Sequence, residues 1–561
     1  MKKYISAIMV FCLLGMSAKA QQPKKDEYNE SVVIKSTFSP VVNEAYKLTS
    51  KPSVFDSTFE LPAFKYDKTG KQFPTFMTFD KIKPANVKDE RAEKLYNAHI
   101  KAGIGTYFTS LLEASYSQTR SKDLVYSADF KHRSSLGQIK DYAHSTYAEN
   151  DLHLYAKKIW ESFSLDADIF YEHQRYYYYG FSDTIDKAKS DYRTTYHTIG
   201  TRLNYRSLYR DESMLHNFAS FAFKHTSGKW GYGETDINLV AGARKELSLF
   251  NNQTQYLGLQ VNYNQIVGSY SAKDLTPFFN PELRLEDYKN RQGVVDIHAY
   301  MDFMIKQFNI HAALSLAPCF GNHGKFYFLP DIVVSLPNLT EHIGVEGGLK
   351  SETELPTLNA MVRENPYISP SVQTKLQSTI SLFAKASYSG SNNLHAELEL
   401  GFASLQDKYF YTLDTNAILN NMFSIVHDNA KRLYVDLRLD YKLKDITLKA
   451  NASFQNMKTE DLEKAWYVPN FKTGISVEYS VDKLTVALIP TFASSVKCLN
   501  EKREVVKLKS RFDLNLNASY KYSDQWTFFT ELNNLAFQRY YNYYNYPAQR
   551  FVGIIGARYA F

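Results

Sequence analysis

Cysteine is nearly missing from this chain: three occur in 561 residues. Cys12 sits in the apolar N-terminal stretch, which leaves Cys319 and Cys498. Two thiols cannot build a disulfide framework, and their spacing matches no metal motif. They pair with each other in an oxidising compartment or stay free. A large charge of one sign is missing too. The formal net charge is +7, and Lys2, Lys3 and Lys19 at the N-terminus supply part of it. Nothing in that balance calls for nucleic acid. Beyond Ala20 no apolar run approaches the ~20 residues of a spanning helix. Catalytic signatures are absent: there is no G-x-S-x-G, no H-E-x-x-H, no P-loop and no Cys/His cluster. The 14 histidines are scattered, and His132, His153, His173, His197, His225 and His395 fall within or beside alternating runs. Gly103, Gly105, Gly347 and Gly348 read as strand kinks or close packing, not phosphate loops. These absences predict a non-enzyme with no cofactor and no metal.

What is abundant is aromatic. The chain holds 43 Tyr and 37 Phe at a mean hydropathy of −0.39. A soluble domain seldom needs so many amphipathic rings. A membrane barrel does, because rings girdle both lipid–water boundaries. The competing reading is a large soluble β-helix or sandwich. The N-terminus argues for export. Lys2 and Lys3 precede an apolar stretch from Tyr4 to Met16, and Ala18-Lys19-Ala20 forms an A-x-A site. Residues 1–20 therefore read as a cleaved signal peptide of Sec type. Residues 21–96 follow with frequent Lys and Pro and weak alternation. They read as a short irregular extension, periplasmic or lumenal.

From residue 97 to residue 561 the pattern is regular. Val435, Leu437, Leu439, Tyr441 and Leu443 share one parity, while Asp436, Arg438, Asp440, Lys442 and Lys444 share the other. A helical period would mix these sets, whereas a strand separates them. The same split recurs at Phe163–Tyr171, Leu394–Phe402, Leu448–Phe454 and Phe512–Tyr520. One face wants lipid and the other water. The fold class is all-β: a transmembrane antiparallel β-barrel of about 22 strands, with 18 and 20 as the other even counts. Tight connections at Lys444-Asp445, Asp482-Lys483 and Ser523-Asp524 suit the periplasmic side. Longer segments near 136–149, 180–194, 271–292 and 355–374 suit the outside. A barrel this wide leaves a lumen.

Two clusters of tyrosine stand out. Tyr176 to Tyr179 form one run, and Tyr540, Tyr541, Tyr543, Tyr544 and Tyr546 form another around Asn542 and Asn545. They read either as an aromatic recognition platform on an outer loop or as an interfacial girdle with a rigid loop. The chain ends on an alternating run, Phe551 to Phe561, with Ala557, Tyr559 and Phe561 on one parity. A closing strand with a terminal aromatic is the expected insertion signal for the barrel assembly machinery.

Leu532-Asn533-Asn534-Leu535, then Tyr540, then Pro547-Ala548-Gln549-Arg550-Phe551, then Tyr559-Ala560-Phe561 resembles the C-terminal end of TonB-dependent receptors. Ala548-Gln549 stands where that family's turn has glycine. Asn280-Pro281 and Asn365-Pro366 look like its loop signals, and the leader and barrel style resemble Bacteroides-type envelope proteins. The resemblance covers the barrel portion. It implies the Gram-negative outer membrane as location, with outer-membrane lipids around the barrel. The family's standard plug domain has no counterpart in residues 21–96. Within that extension Val32, Val33 and Ile34 resemble a TonB-contact segment, or form one short strand. Two functions follow. The first is solute passage or uptake across the outer membrane. The second is a non-transport scaffold that holds surface lipoproteins or assembly factors.

Overall fold

The computed structural model describes residues 96–561, apart from 119–120, 230, 249–254, 276–277, 281, 283–285, 323 and 391–392. The signal peptide, the rest of the extension and Val32–Ile34 lie outside the described residues. Alternation decides the local structure. Leu437 sits between Leu398 on one neighbouring strand and Ala452 on the other, so apolar residues line up across the sheet. A one-residue slip would turn every one of them to the opposite face. The result is a 22-stranded antiparallel sheet that runs from Ala98–Gly105 to Val552–Ala560. Those two strands pair with each other, His99 opposite Ala560 and Gly105 opposite Ile554, and close the barrel. Closure leaves no sheet edge, which lipid requires. The outer surface carries exposed Leu152, Ile169, Leu203, Leu398 and Leu437, an apolar belt.

Connections alternate between short and long. One rim has Lys444-Asp445 and Asp482-Lys483, with Lys444 and Asp482 at positive φ as tight turns demand. The other rim carries 136–146, 178–192, 271–287, 355–376 and 534–551. Two small hairpins stand among these long loops, Val496–Leu499 with Val505–Leu508 and Tyr541–Tyr543 with Tyr546–Pro547.

Ala557, Tyr559 and Phe561 lie at the short-turn rim or lead to it. Tyr559 lies tilted against Trp526 at 4.8 Å and stacks near Phe561 at 5.7 Å, and Gln525 donates to its hydroxyl. Exposed Tyr522, Trp526, Phe528 and Phe561 complete an aromatic rim there. The seam itself is built on glycine. Gly103 faces Gly556, and a Cβ on Gly556 would sit 2.2 Å from the Ala102 carbonyl and 2.5 Å from the Phe529 ring. Lys101 lies over that ring at 4.4 Å and pairs with Glu531 at 2.9 Å. We expect Gly556→Val to prevent closure, since overpacking against backbone costs about 1–3 kcal/mol or more. Heat-modifiable mobility on gel electrophoresis reads this out: the folded band should disappear, and a normal folded band contradicts the seam's role.

Candidate functional site

The lumen wall supplies one continuous polar row. Glu113, Lys131, Asp151, Glu172, Thr198, Thr226 and Glu234 face each other in turn across seven consecutive strands. Segment 355–376 leaves the wall between strands Ile343–Glu354 and Gln377–Ser389, several strands away, and docks on this row. We call it the strap. Its helix, Leu358–Glu364, starts at Thr357, whose hydroxyl accepts the Ala360 N–H at 3.2 Å. The Leu358 N–H donates to both oxygens of buried Glu234, at 2.9 and 3.1 Å. Asn359 donates to Thr198 at 2.9 Å, and Arg363 pairs with Glu172. Leu358, Met361 and Val362 bury themselves against Tyr176, Tyr196, Tyr232 and Tyr411. Beyond the helix the strap adds to a strand end: the Ser369 N–H donates to the Phe423 carbonyl, and the Phe423 N–H to the Tyr367 carbonyl.

The tyrosine clusters meet over this strap. Tyr546 is 1% exposed, stacks on Tyr367 at 3.6 Å and 17°, and donates to the Asn421 carbonyl. Tyr178 donates to the Ile368 carbonyl at 2.8 Å, and Tyr179 to the Pro547 carbonyl at 2.9 Å. Asn421 donates back to the Tyr178 carbonyl at 2.7 Å. Gly180 makes the fit possible, because a Cβ there would stand 2.5 Å from the Tyr546 ring. Five loops thus join the strap in one aromatic core: 136–146, 178–192, 414–422, 534–551 and, through Phe278 and Phe279, the loop that follows Tyr270. The rings of Tyr176 to Tyr179 belong to this cap, not to a lipid girdle.

The other members of the second cluster are placed as follows. Tyr540 donates to Asp513 at 3.2 Å, and Tyr544 to Glu501 at 2.9 Å. Tyr543 donates to the Glu364 carbonyl at 2.8 Å. Tyr541 and Tyr543 line a cavity of about 500 Å³, together with Tyr367, Tyr409, Trp466 and Tyr467. Four cations line it as well: Lys408, Lys472, Lys509 and Arg511. None has a carboxylate within ion-pair distance among the described residues. Arg511 is held by Asn542 at 2.9 Å, and Lys408 lies over the Tyr409 ring at 4.3 Å. The cavity's carboxylate, Glu364, is occupied by the Tyr409 and Tyr411 hydroxyls at 2.9 and 2.8 Å. Ring faces and unpaired cations in one pocket suit an anion with a planar face.

Sequence reading missed these cations, because Lys408, Lys472 and Arg511 come from separate strands and converge only in three dimensions. The strap helix had a local signal, Thr357 ahead of an apolar i, i+3, i+4 set. Cys319 and Cys498 are both free thiols and do not pair. Cys498 is fully buried.

Burial raises the tyrosines of the cap. Tyr178, Tyr179 and Tyr546 are pushed well above their usual range, and Tyr367 up to about 12, chiefly by desolvation. A hydroxyl raised from 10.0 to about 12 keeps its full stabilisation below pH 10. That stabilisation is lost as pH rises through the folded value. We expect the cap to open between pH 10 and about 12, while the lipid-embedded strands persist. Tyrosinate absorbance against pH should show a late, cooperative set of rings. Ordinary titration of all tyrosines near pH 10 contradicts a buried cap.

No protein-family model matches the chain, and no curated protein does. Solved structures do match in fold. The siderophore receptor PirA from Acinetobacter baumannii superposes with a TM-score of 0.63 at 12% identity, over 84% of this chain and 81% of that one. The FrpB iron transporter from Neisseria meningitidis gives 0.63 at 11%, over 84% and 82%. The pyoverdine outer-membrane receptor FpvA from Pseudomonas aeruginosa, bound to pyoverdine, gives 0.62 at 10%, over 83% and 78%. These neighbours are receptors and transporters, not enzymes. A closed 22-strand barrel with an apolar belt is an outer-membrane protein, and its structural neighbours are siderophore receptors and an iron transporter.

Proposed function

We propose that this chain is an outer-membrane uptake barrel that admits a small anionic solute through a mouth closed by its own loops. The observation that carries this is the cavity against the strap, where Lys408, Lys472, Lys509 and Arg511 stand beside ring faces with no ion-pair partner among the described residues, while the one lining carboxylate, Glu364, is held by two tyrosine hydroxyls. Solute would enter by displacing the strap from its row on the wall. The fold likeness to iron and siderophore receptors supports uptake. In the same reading TonB supplies energy by strand addition to Val32, Val33 and Ile34, and Tyr559 and Phe561 guide insertion. Nothing in the cap or the wall specifically favours the scaffold reading.

An aromatic trisulfonate dye tests it on the purified protein in detergent. The dye should quench Trp466, a buried wall residue of the cavity. Removing Lys408 and Arg511 together, each to Gln, should weaken binding about tenfold or more, since charge-assisted bonds contribute about 1.5–3 kcal/mol each. A cationic dye of the same ring system should not bind. Equal binding of both dyes, or an unchanged affinity in the double variant, rejects the anion site.

A further inference from the structure

The outer face of the wall carries a polar row where lipid contact is expected. His132, Asn150, His173 and His197 face each other in turn across four strands. Each shares parity with exposed apolar residues of its own strand: Leu152 with Asn150, Ile169 with His173, Ile199 with His197. All four side chains therefore stand on the outside of the barrel. They form a directed chain. The His132 Nδ1–H donates to Asn150 Oδ1 at 2.7 Å, and Asn150 Nδ2 donates to His173 Nδ1 at 2.9 Å. The Tyr171 hydroxyl and His197 Nδ1 share a hydrogen bond at 2.8 Å.

The Asn150 amide puts the proton of neutral His173 on Nε2, and His197 offers an Nε2–H as well when Tyr171 is the donor to its Nδ1. Their rings are 4.9 Å apart. Neither Nε2 has a partner among the described residues. A strand climbing from Phe163 to His173 at barrel tilt rises about 25 Å, the height of the apolar band. The two donors thus stand at the outer headgroup level. Next toward the mouth, on the same face, come Arg175 opposite Thr195 and Arg193 opposite Tyr177. Neither guanidinium has a carboxylate within ion-pair distance among the described residues.

We infer that His173, His197, Arg175 and Arg193 form a site for the phosphate of an outer-leaflet lipid headgroup. Two N–H donors and two forked guanidinium groups on one face match a phosphate's acceptor oxygens. Donors at the edge of the hydrocarbon lose free energy if they are left without an acceptor. A lipid phosphate satisfies them at the height where such phosphates lie. The site backs directly onto the strap's dock, since Glu172 and Thr198 are sequence neighbours of His173 and His197.

The test is native mass spectrometry of the full chain released from nanodiscs that contain a phosphorylated outer-membrane glycolipid. Parallel arms use the same lipid without its phosphates, and free inorganic phosphate. The phosphorylated lipid should remain bound, and Arg193→Gln, an exposed position, should lower retention about tenfold. His173→Phe with His197→Phe should do the same while the barrel still runs as a folded band. Equal retention of the dephosphorylated lipid, or unchanged retention in both variants, overturns the proposal. So does displacement of the lipid by free phosphate, which would mark an adventitious anion.

Discussion

Replacing Tyr546 by Ala is expected to loosen the whole outer mouth. The side chain is buried at the centre of the cap, where it touches Tyr179, Tyr367 and Phe423 with ring separations of 4.8, 3.6 and 5.9 Å. It also donates to the Asn421 carbonyl, which becomes a buried acceptor without that donor. Truncating a buried aromatic costs about 3–5 kcal/mol, and the orphaned carbonyl adds to it. The barrel strands do not depend on Tyr546, so the loss falls on the cap alone. Cys498 reports it. That thiol is buried beside Tyr467, whose ring lies 5.4 Å from Tyr543 in the same cap. In a Cys319→Ser background, Tyr546→Ala should speed maleimide labelling of Cys498 by about a hundredfold, the factor that roughly 3 kcal/mol of opening free energy gives. Unchanged labelling would mean the cap does not act as one unit.

Excising the strap is expected to have the larger functional effect. Glu354 and Gln377 are paired across the hairpin, so residues 355–376 can be replaced by Asn-Gly without disturbing register. The excision removes every strap contact to Glu172, Thr198 and Glu234 at once, and with them the seat of Tyr178 and Tyr546. The wall row Glu113–Glu234 then faces water and should stay folded, because its residues are charged or hydroxylic. The cavity loses Glu364 and Tyr367 and becomes open. Dye quenching of Trp466 should weaken accordingly, while the heat-modifiable band is retained. Loss of the folded band would show instead that the strap is needed to build the barrel.

The barrel was legible because its signal is local. Val435 to Lys444 alternates without a break, and the strand Phe423–Leu443 with its turn at Lys444-Asp445 follows. Gly103 and Gly105 read from sequence as strand kinks or close packing, and close approach to the closing strand is what they meet. The bulge between Leu405 and Lys408 was not, because nothing local marks where two residues oppose one. The cap was legible only in composition. Tyr176 to Tyr179 announced an aromatic site, but a girdle and a buried cap have the same residues. What separates them is long range: Tyr178 with Ile368, Tyr179 with Pro547, Tyr543 with Glu364. The strap was visible as a long loop around Asn365-Pro366, and its inward course is set by partners such as Thr198 and Glu234 that alternation assigns only to the lumen.

The proposed role of the strap and its tyrosine cap is to close the outer mouth of an uptake barrel. Single-channel conductance in planar bilayers tests it most directly, with the purified wild-type chain beside the chain in which Asn-Gly replaces 355–376. A silent or briefly flickering wild type is expected, beside a stable, large, anion-preferring current in the excised form. A wild type that conducts steadily, with the same amplitude and selectivity after excision, would contradict it.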